Sequence, residues 1–123
     1  MAIYESGEDY LETILILEQK NGQVRSVDIA AELGYSKPSV SRAMGILKKA
    51  QYILMDEKGY ITFTSQGRDM AEKIYARHKN LTRYLRDVLG VSEENATKDA
   101  CRIEHHISEE TYNMICKALG DGK

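Results

Sequence analysis

A thiol, a carboxylate and two imidazoles occur within six consecutive residues, Cys101-Arg-Ile-Glu-His-His106. On a helix, Cys101, Glu104 and His105 lie at positions i, i+3 and i+4 and therefore share one face. A thiolate, a carboxylate oxygen and a neutral imidazole nitrogen are ligands that borderline divalent transition metals accept. Three ligands rarely close a site, so the segment predicts a metal centre that draws further ligands from elsewhere in the chain. His106 points about 100° away from His105 and is expected outside the ligand set.

The elements that must position these ligands begin with three short helices. Apolar residues recur at helical spacing from Glu5 to Gln19, and Asn21-Gly22 ends this first helix. A second helix is predicted from Ser26 to Gly34, and a third begins near Pro38, a residue favoured in the first helical turn. The residues expected to face inward from these two helices are Val27, Ile29, Ala30, Leu33, Val40, Ala43, Met44 and Leu47. Two helices joined by a turn containing glycine indicate a helix-turn-helix.

A predicted hairpin and three further helices complete the chain. The β-branched and aromatic runs 52–55 and 60–64 flank Asp56-Glu-Lys-Gly59 and predict a two-stranded wing. Thr64 or Ser65 then caps a long helix that ends at Gly90, and its apolar stripe includes Leu81, Leu85, Val88 and Leu89. The next helix begins at Ser92 and is predicted to run past Cys101 to Ile107. A last helix begins at Ser108 and carries Tyr112, Ile115 and Leu119 on one stripe.

Composition narrows the class of protein. The chain has 123 residues, 42% hydrophobic and 29% charged, which is an ordinary globular balance. We predict a mainly α protein with a winged helix-turn-helix DNA-binding domain at 1–63 and a helical domain that carries the predicted metal centre at 64–123; the resemblance described below implies that this second domain is also the dimerisation domain. No apolar run reaches about 18 residues and no signal peptide is recognisable, so we expect a cytoplasmic protein with no membrane partner. A reducing compartment argues against a structural disulfide between Cys101 and Cys116.

A short basic segment contrasts with its acidic surroundings. Residues 1–35 carry seven Asp or Glu and two Lys or Arg, whereas residues 36–50 carry four Lys or Arg and no acidic residue. A recognition helix places its N-terminal end in the major groove, so double-stranded operator DNA is the expected partner. The residues expected at base edges or nearby phosphates are Ser36, Lys37, Pro38, Ser39, Ser41 and Arg42, and those expected at the DNA backbone are Lys48, Lys49 and, in the wing, Lys58. Arg42 can pair bidentately with guanine.

With these motifs in this order, the chain resembles the diphtheria toxin repressor family of metal-dependent transcriptional regulators, and in length its manganese transport regulator branch. The motifs are Glu8-Asp-Tyr-Leu-Glu12, Val27-Asp-Ile-Ala30, Pro38-Ser-Val-Ser41 and Ile103-Glu-His-His106. The resemblance implies a homodimeric repressor that controls metal-uptake genes, and the chain ends before the C-terminal SH3-like domain of larger members. It also implies that a metal ion links the DNA-binding and dimerisation halves.

The resemblance implies a set of metal ligands. Carried over position by position, the set is Asp9, Glu12, His78, Cys101, Glu104 and His105. Manganese-type members have a glutamate at the position of Cys101, whereas iron-type members have a cysteine there and a methionine at the position of Asp9. The sequence is thus a hybrid, and both Mn(II) and Fe(II) stay open as the cofactor. A thiolate intrinsically favours Fe(II), Co(II) or Zn(II), so Zn(II) or Co(II) could also bind in vitro.

Each candidate residue also has an ordinary structural explanation. His78 fits a surface position, Asp9 and Glu12 fit favourable charges near a helix N-terminus, and Cys101 fits a small core residue. The basic charges of the third helix fit a solvated face. Two other functions are compatible with the sequence. One is a metal-free, thiol-based redox-sensing regulator that uses Cys101 and Cys116, and the other, more remote, is a small metalloenzyme. The second would need an open metal coordination position and a substrate cleft, and no small-molecule substrate is expected.

Overall fold

The computed structural model describes residues 5–120, with side chains from residue 7 onward. The chain divides into two compact units, Met1–Glu72 and Lys73–Lys123. Their elements, in chain order, are the helices α1 (Glu5–Asn21), α2 (Ser26–Leu33) and α3 (Lys37–Lys49), the strands β1 (Ile53–Met55) and β2 (Ile61–Phe63), the helix α4 (Ser65–Arg83) with a π-helical turn at Tyr84–Val88, and the helices α5 (Glu93–Ile103) and α6 (Glu109–Ala118). Among these described residues, no helix is long and apolar enough to span a membrane.

The first unit is built around the helix-turn-helix formed by α2 and α3, with α1 packed against both. Its buried apolar side chains are Tyr10, Leu11, Ile14, Leu15, Leu17, Val24, Ile29, Ala30, Val40, Met44, Leu47, Tyr52, Ile53, Ile61 and Ala71. Each fully buried Leu or Ile stabilises the fold by about 2 kcal/mol relative to an exposed one. Val27, predicted to face inward, is instead 47% exposed. It lies in the first turn of α2, two residues before the first buried position, Ile29.

The turn between α2 and α3 determines where the predicted recognition helix starts. Gly34 adopts a left-handed conformation (φ 70°), and its N–H donates to the carbonyl of Ala30 at 2.9 Å. Glycine adopts this conformation without the steric cost of a Cβ atom. Ser36 then caps α3, and its Oγ accepts a hydrogen bond from the backbone N–H of Ser39 at 3.3 Å. Pro38 lies in the first turn of α3, as the sequence predicted.

The predicted wing is present, although its strands are shorter than the runs that predicted them. Ile53 pairs with Phe63 and Met55 with Ile61 in antiparallel register. The hairpin also packs against the segment before α2, because Ile61 N–H donates to the Val24 carbonyl at 2.8 Å and Arg25 forms an isolated bridge with Tyr60. These additional bonds stabilise a two-stranded hairpin that alone would be marginal in water.

The start of α4 is joined closely to the end of α3. Thr64 caps α4 by accepting from the Gly67 N–H at 3.0 Å, and its hydroxyl donates to the carbonyl of Gln51 at 2.7 Å. A Cβ atom at Gly67 would meet the Tyr52 carbonyl oxygen, so only glycine fits at this contact. The cap at Thr64 therefore also links α4 to Gln51 and Tyr52, shortly after the recognition helix.

Two predictions about the second unit are wrong. The α-helical part of α4 ends at Arg83, and the π-helical turn that follows places Val88 and Leu89 on the exposed surface rather than on the predicted apolar stripe. Helix α5 ends at Ile103 and not at Ile107. The Ile103 carbonyl accepts from both the His106 and the Ile107 N–H, so the chain tightens into a turn there. The predicted caps Ser92 and Ser108 are confirmed, because each accepts from a backbone N–H three residues later.

Candidate functional site

The predicted DNA-binding face lies on α3 and is positioned by the opposite face of that helix. Val40, Met44 and Leu47 are buried at spacings of four and three residues, which anchors one side of α3 in the first unit. The residues on the other side are exposed, and they include all those predicted to contact DNA from this helix: Ser36, Lys37, Pro38, Ser39, Ser41, Arg42, Lys48 and Lys49. The helix thus presents four cationic side chains to solvent without an acidic residue among them.

Lys58 lies at the tip of the wing and is also exposed. The tip is shaped by Asp56, whose Oδ1 accepts from the backbone N–H groups of Lys58 and Tyr60, both at 2.9 Å. Gly59 supplies the left-handed conformation (φ 87°) that the turn requires. A turn of this kind presents the Lys58 side chain to solvent, where a phosphate contact is compatible with its geometry.

Two of the predicted metal ligands, Asp9 and Glu12, lie on α1 in the first unit. Glu12 is only 7% exposed, in a helix where the neighbouring Leu11 and Ile14 are also buried. Asp9 is half-buried, and its backbone carbonyl accepts a hydrogen bond from the Thr13 hydroxyl at 2.8 Å. Buried carboxylates are rare unless they are paired or bind metal. Glu12 is therefore unusual for a residue on an apolar helix face.

Glu104 is the most deeply buried charged residue among those that the structure describes. It follows the last residue of α5 and is 2% exposed. Its Oε1 lies 2.9 Å from Nδ1 of His78 on α4, and a carboxylate oxygen accepts, so the imidazole donates in this pair. The second oxygen, Oε2, is buried and has no hydrogen-bond partner among the described residues. An unsatisfied charged group in the interior is costly, which indicates that a cationic ligand belongs here.

The imidazole of His78 and the carboxylate of Glu104 together suit a divalent metal ion. An imidazole nitrogen and a carboxylate oxygen are both accepted by Mn(II), Fe(II) and Zn(II). The residues present therefore fit the predicted type of cofactor.

The other two candidate ligands of the second unit lie in different surroundings. Cys101 is exposed, and His105 is half-buried in the turn that follows α5. In the part of the second unit that the structure describes, neither joins His78 and Glu104 in a group of three donor atoms lying within 4.8 Å of one another. Cys101, Glu104 and His105 therefore differ in exposure, with only Glu104 buried. The roles of Cys101 and His105 stay predictions.

The sequence did not predict the residues that contact the backbone of Glu104 or support that contact. Arg77 Nη1 donates to the Glu104 backbone carbonyl at 3.2 Å, and the Arg77 guanidinium lies 4.9 Å from the centre of the Tyr112 ring. Asn80 Nδ2 donates to the Tyr112 hydroxyl at 2.8 Å. No local pattern could have found these contacts, because they join α4 to residues 27 and 32 positions further along the chain.

Comparison with known protein families covers almost the whole chain. The family model described as the N-terminal DNA-binding domain of the iron-dependent repressor matches residues 2–62. The model described as the metal-binding and dimerisation domain of the iron-dependent repressor matches residues 64–123. The two matches follow one another along the chain.

Curated relatives agree with the family models. The chain is 38% identical over 110 residues to the HTH-type transcriptional regulator MntR of Geobacillus kaustophilus. The aligned region covers 89% of this chain and 77% of that protein. It is 39% identical over 108 residues to the transcriptional regulator MntR of Escherichia coli O6:H1, covering 88% of this chain and 69% of the relative. The MntR of Bacillus subtilis is 34% identical over 110 residues, with 89% and 77% covered.

Solved structures show the same fold. The manganese regulator SloR superposes with a TM-score of 0.82 at 24% identity, covering 98% of this chain and 55% of SloR. A structure described as a manganese-dependent transcriptional repressor in complex with manganese gives a TM-score of 0.84 at 25% identity, with 94% and 53% covered. The chain thus spans about half the length of each of these two proteins. It belongs to the iron-dependent repressor family of metal-dependent, DNA-binding transcriptional regulators, which are not enzymes.

Proposed function

We propose that this repressor binds a divalent transition-metal ion through His78 and Glu104, and that this binding activates it for operator DNA. The observation that carries the proposal is the contact of His78 Nδ1 with Glu104 Oε1 at 2.9 Å, beside the buried Oε2 of Glu104, which has no hydrogen-bond partner within the described part of the chain. A bound cation supplies positive charge that stabilises the buried carboxylate. The exposed basic helix α3 supports the second half of the proposal, because it offers major-groove and phosphate contacts on one surface.

The remaining ligands in this proposal are Asp9, Glu12, Cys101 and His105. Support comes from the position-by-position resemblance and, for Glu12, from the burial of a carboxylate on an apolar helix. Asp9 and Glu12 belong to the DNA-binding half of the chain, whereas His78 and Glu104 belong to the other half. Ligands drawn from both halves would make metal affinity depend on the two halves closing together.

The proposed switch acts through the protein's own charges. Without a cation, carboxylates of Asp9, Glu12 and Glu104 brought into one site would repel each other and loosen the link between the halves. In a homodimer, two recognition helices must match half-sites about 34–36 Å apart on the duplex. A loosened link broadens that separation and weakens operator binding. By reciprocity, operator DNA tightens metal binding by the same factor.

We infer that the physiological metal is Mn(II) or Fe(II). Among the relatives, the manganese-dependent repressor is described with manganese, and ScaR is described with bound Zn2+ and with bound Cd2+. Cys101 supports Fe(II) over Mn(II) by its softness. Repression of metal-uptake genes is the regulatory output that we propose.

The test of this function is metal-dependent DNA binding. Duplexes are first selected from a random-sequence library by the purified protein in the presence of Mn(II). Affinity for the selected duplex is then measured with Mn(II), Fe(II) under anaerobic conditions, Zn(II) or a chelator. We expect at least about tenfold tighter binding with Mn(II) or Fe(II) than with the chelator, the magnitude of a typical coupling free energy. Equal binding with and without metal would overturn the proposal.

Two substitutions give this experiment a matched control. His78→Ala is expected to abolish the effect of metal on DNA binding, whereas His106→Ala, at an exposed imidazole two residues from Glu104, is expected to retain it. Cys101→Glu is expected to move the order of preference toward Mn(II), and an unchanged order would show that the thiol is not a ligand. Metal-independent DNA binding that is lost on peroxide treatment would instead favour the thiol-based sensor.

A further inference from the structure

We propose that Arg77 is a positioning residue for the metal-binding carboxylate of Glu104, an inference that rests on the proposed function. Arg77 and His78 are consecutive on α4, and both contact Glu104. The imidazole of His78 contacts the carboxylate at 2.9 Å, and the guanidinium of Arg77 donates to the backbone carbonyl at 3.2 Å. One turn of α4 therefore holds both the side chain and the main chain of the same residue.

The main-chain contact matters because Glu104 lies at a helix end. The last carbonyl groups of a helix lack partners within the helix, and Glu104 is the residue at which α5 gives way to a turn. Its N–H still donates to the Ala100 carbonyl at 3.0 Å, while its own carbonyl is taken by Arg77. A cation is also favourable at a helix C-terminus. With both backbone groups fixed, the Glu104 side chain leaves the backbone in one direction, toward His78.

Arg77 is itself held in place by α6. Its guanidinium lies 4.9 Å from the centre of the Tyr112 ring, a distance suited to a cation–π contact. The Tyr112 hydroxyl accepts from Asn80 at 2.8 Å, and Asn80 lies three residues after Arg77 on the same face of α4. Tyr112 is therefore contacted on its ring by one residue of α4 and at its hydroxyl by another. This arrangement restricts the Arg77 side chain before any metal binds.

A group that orients a ligand without touching the metal commonly contributes 10- to 100-fold to metal affinity. We therefore expect Arg77→Gln to weaken Mn(II) binding about 10- to 100-fold, because the shorter neutral amide loses the charged donor and the ring contact. Arg77→Lys retains a cation and a donor, and its affinity is expected to stay within about threefold of wild type. Arg86→Gln is the control, since Arg86 pairs with the exposed carboxylate of Asp87 at 2.8 Å, away from the site.

The experiment measures Mn(II) affinity of the full chain by calorimetry, well below its unfolding temperature, and the imidazole 15N NMR signals of the apo protein, which has three histidines. Arg77→Gln is expected to shift the His78 signals before any metal is added, and Arg86→Gln to leave them unchanged. Wild-type affinity together with wild-type His78 signals in Arg77→Gln would overturn the inference.

His78→Ala separates this inference from the proposed function. If His78→Ala loses Mn(II) affinity and Arg77→Gln does not, only the positioning role of Arg77 is wrong. If His78→Ala binds Mn(II) like wild type, the proposed metal site itself is wrong. A role for Arg77 in stability alone would lower the urea midpoint without changing Mn(II) affinity or the His78 signals, and this result also contradicts the inference.

Discussion

The two binding regions of this molecule present their polar groups in opposite ways. On α3 the residues predicted to contact DNA are exposed, and three buried apolar side chains on the other face hold the helix in place. At the end of α5 the carboxylate of Glu104 is buried, with His78 on its side chain and Arg77 on its carbonyl. DNA binding thus uses solvated groups on a rigid support, whereas the proposed metal binding uses groups already removed from water.

This difference determines what a substitution should change. An exposed side chain on α3 contributes little to folding, so its removal should alter DNA affinity and leave stability unchanged. A buried carboxylate with one unpartnered oxygen contributes little net stability without a cation, but supplies charge to a cation that binds there. Substitutions in the two regions should therefore change different measured quantities.

The largest effect is expected for Glu104→Gln. The amide keeps the shape of the side chain but removes its charge, so Mn(II) affinity should fall by at least about 100-fold, or about 2.7 kcal/mol. The unfolding free energy of the apo protein should stay within about 1 kcal/mol of wild type, because the lost charge was itself costly to bury. Calorimetry and urea unfolding measure the two quantities. Glu110→Gln, at an exposed carboxylate of α6, should leave both unchanged.

Next in size is the effect of Arg42→Ala on DNA binding. Loss of a bidentate contact with guanine should weaken binding to the selected duplex by about 1–3 kcal/mol and relax base preference at one position. Lys49→Ala, at the far end of α3, should weaken binding to all sequences by a similar factor. It should also reduce the slope of log affinity against log salt concentration by the amount that corresponds to about one phosphate contact. Fluorescence anisotropy across a set of single-base variants measures both. Equal base preference in Arg42→Ala and wild type would exclude a role for Arg42 in base recognition.

A smaller effect is expected on the stability of the support beneath the DNA-binding face. Ser36→Ala removes the cap of α3, in which Ser36 Oγ accepts from the Ser39 N–H, and should lower the unfolding free energy by about 1 kcal/mol. Ser41→Ala, at an exposed position within the same helix, should change it by less than about 0.5 kcal/mol. Urea unfolding distinguishes the two variants. An equal loss in both would show that the cap does not stabilise α3.

The same contrast explains how much of the structure could be predicted from the sequence. The recognition helix was predictable because its pattern is local: a cap at Ser36, Pro38 in the first turn, and apolar positions at 40, 44 and 47. Its exposed residues follow from the buried ones by geometry alone. The wing was predictable for a similar reason, since a turn at Asp56–Gly59 separates two runs with high strand propensity.

The end of α5 could not be predicted, because nothing local ends it. Ile103 and Ile107 are spaced as in a continuing helix, yet the helix stops at Ile103, where the carbonyl of Glu104 is taken by Arg77 from α4. The π-helical turn after Arg83 likewise overrides an apolar pattern that predicted a continuous α-helix. The resemblance to a family supplied Glu104 and His78 as ligands, but their direct contact and the support from Tyr112 depend on tertiary packing.

The smallest expected effect is a loss of stability at alkaline pH. Two tyrosines, one from each unit, are expected to contribute to this loss. Burial raises the pKa of Tyr112, while the hydrogen bond from Asn80 acts in the opposite direction, and burial also raises the pKa of Tyr10. A raised pKa means that the folded state holds the phenol proton more tightly than the unfolded chain does. The resulting stabilisation is fully present below the unfolded value of about 10 and is lost as pH rises through the folded-state pKa.

We therefore expect the urea midpoint of the apo protein to fall above about pH 10, and to fall less steeply in Tyr112→Phe and in Tyr10→Phe than in wild type. A profile of Tyr112→Phe parallel to wild type between about pH 9 and pH 11 would show that the Tyr112 hydroxyl titrates as it does in the unfolded chain. In that case burial of this hydroxyl against α4 would not contribute to the packing of α6.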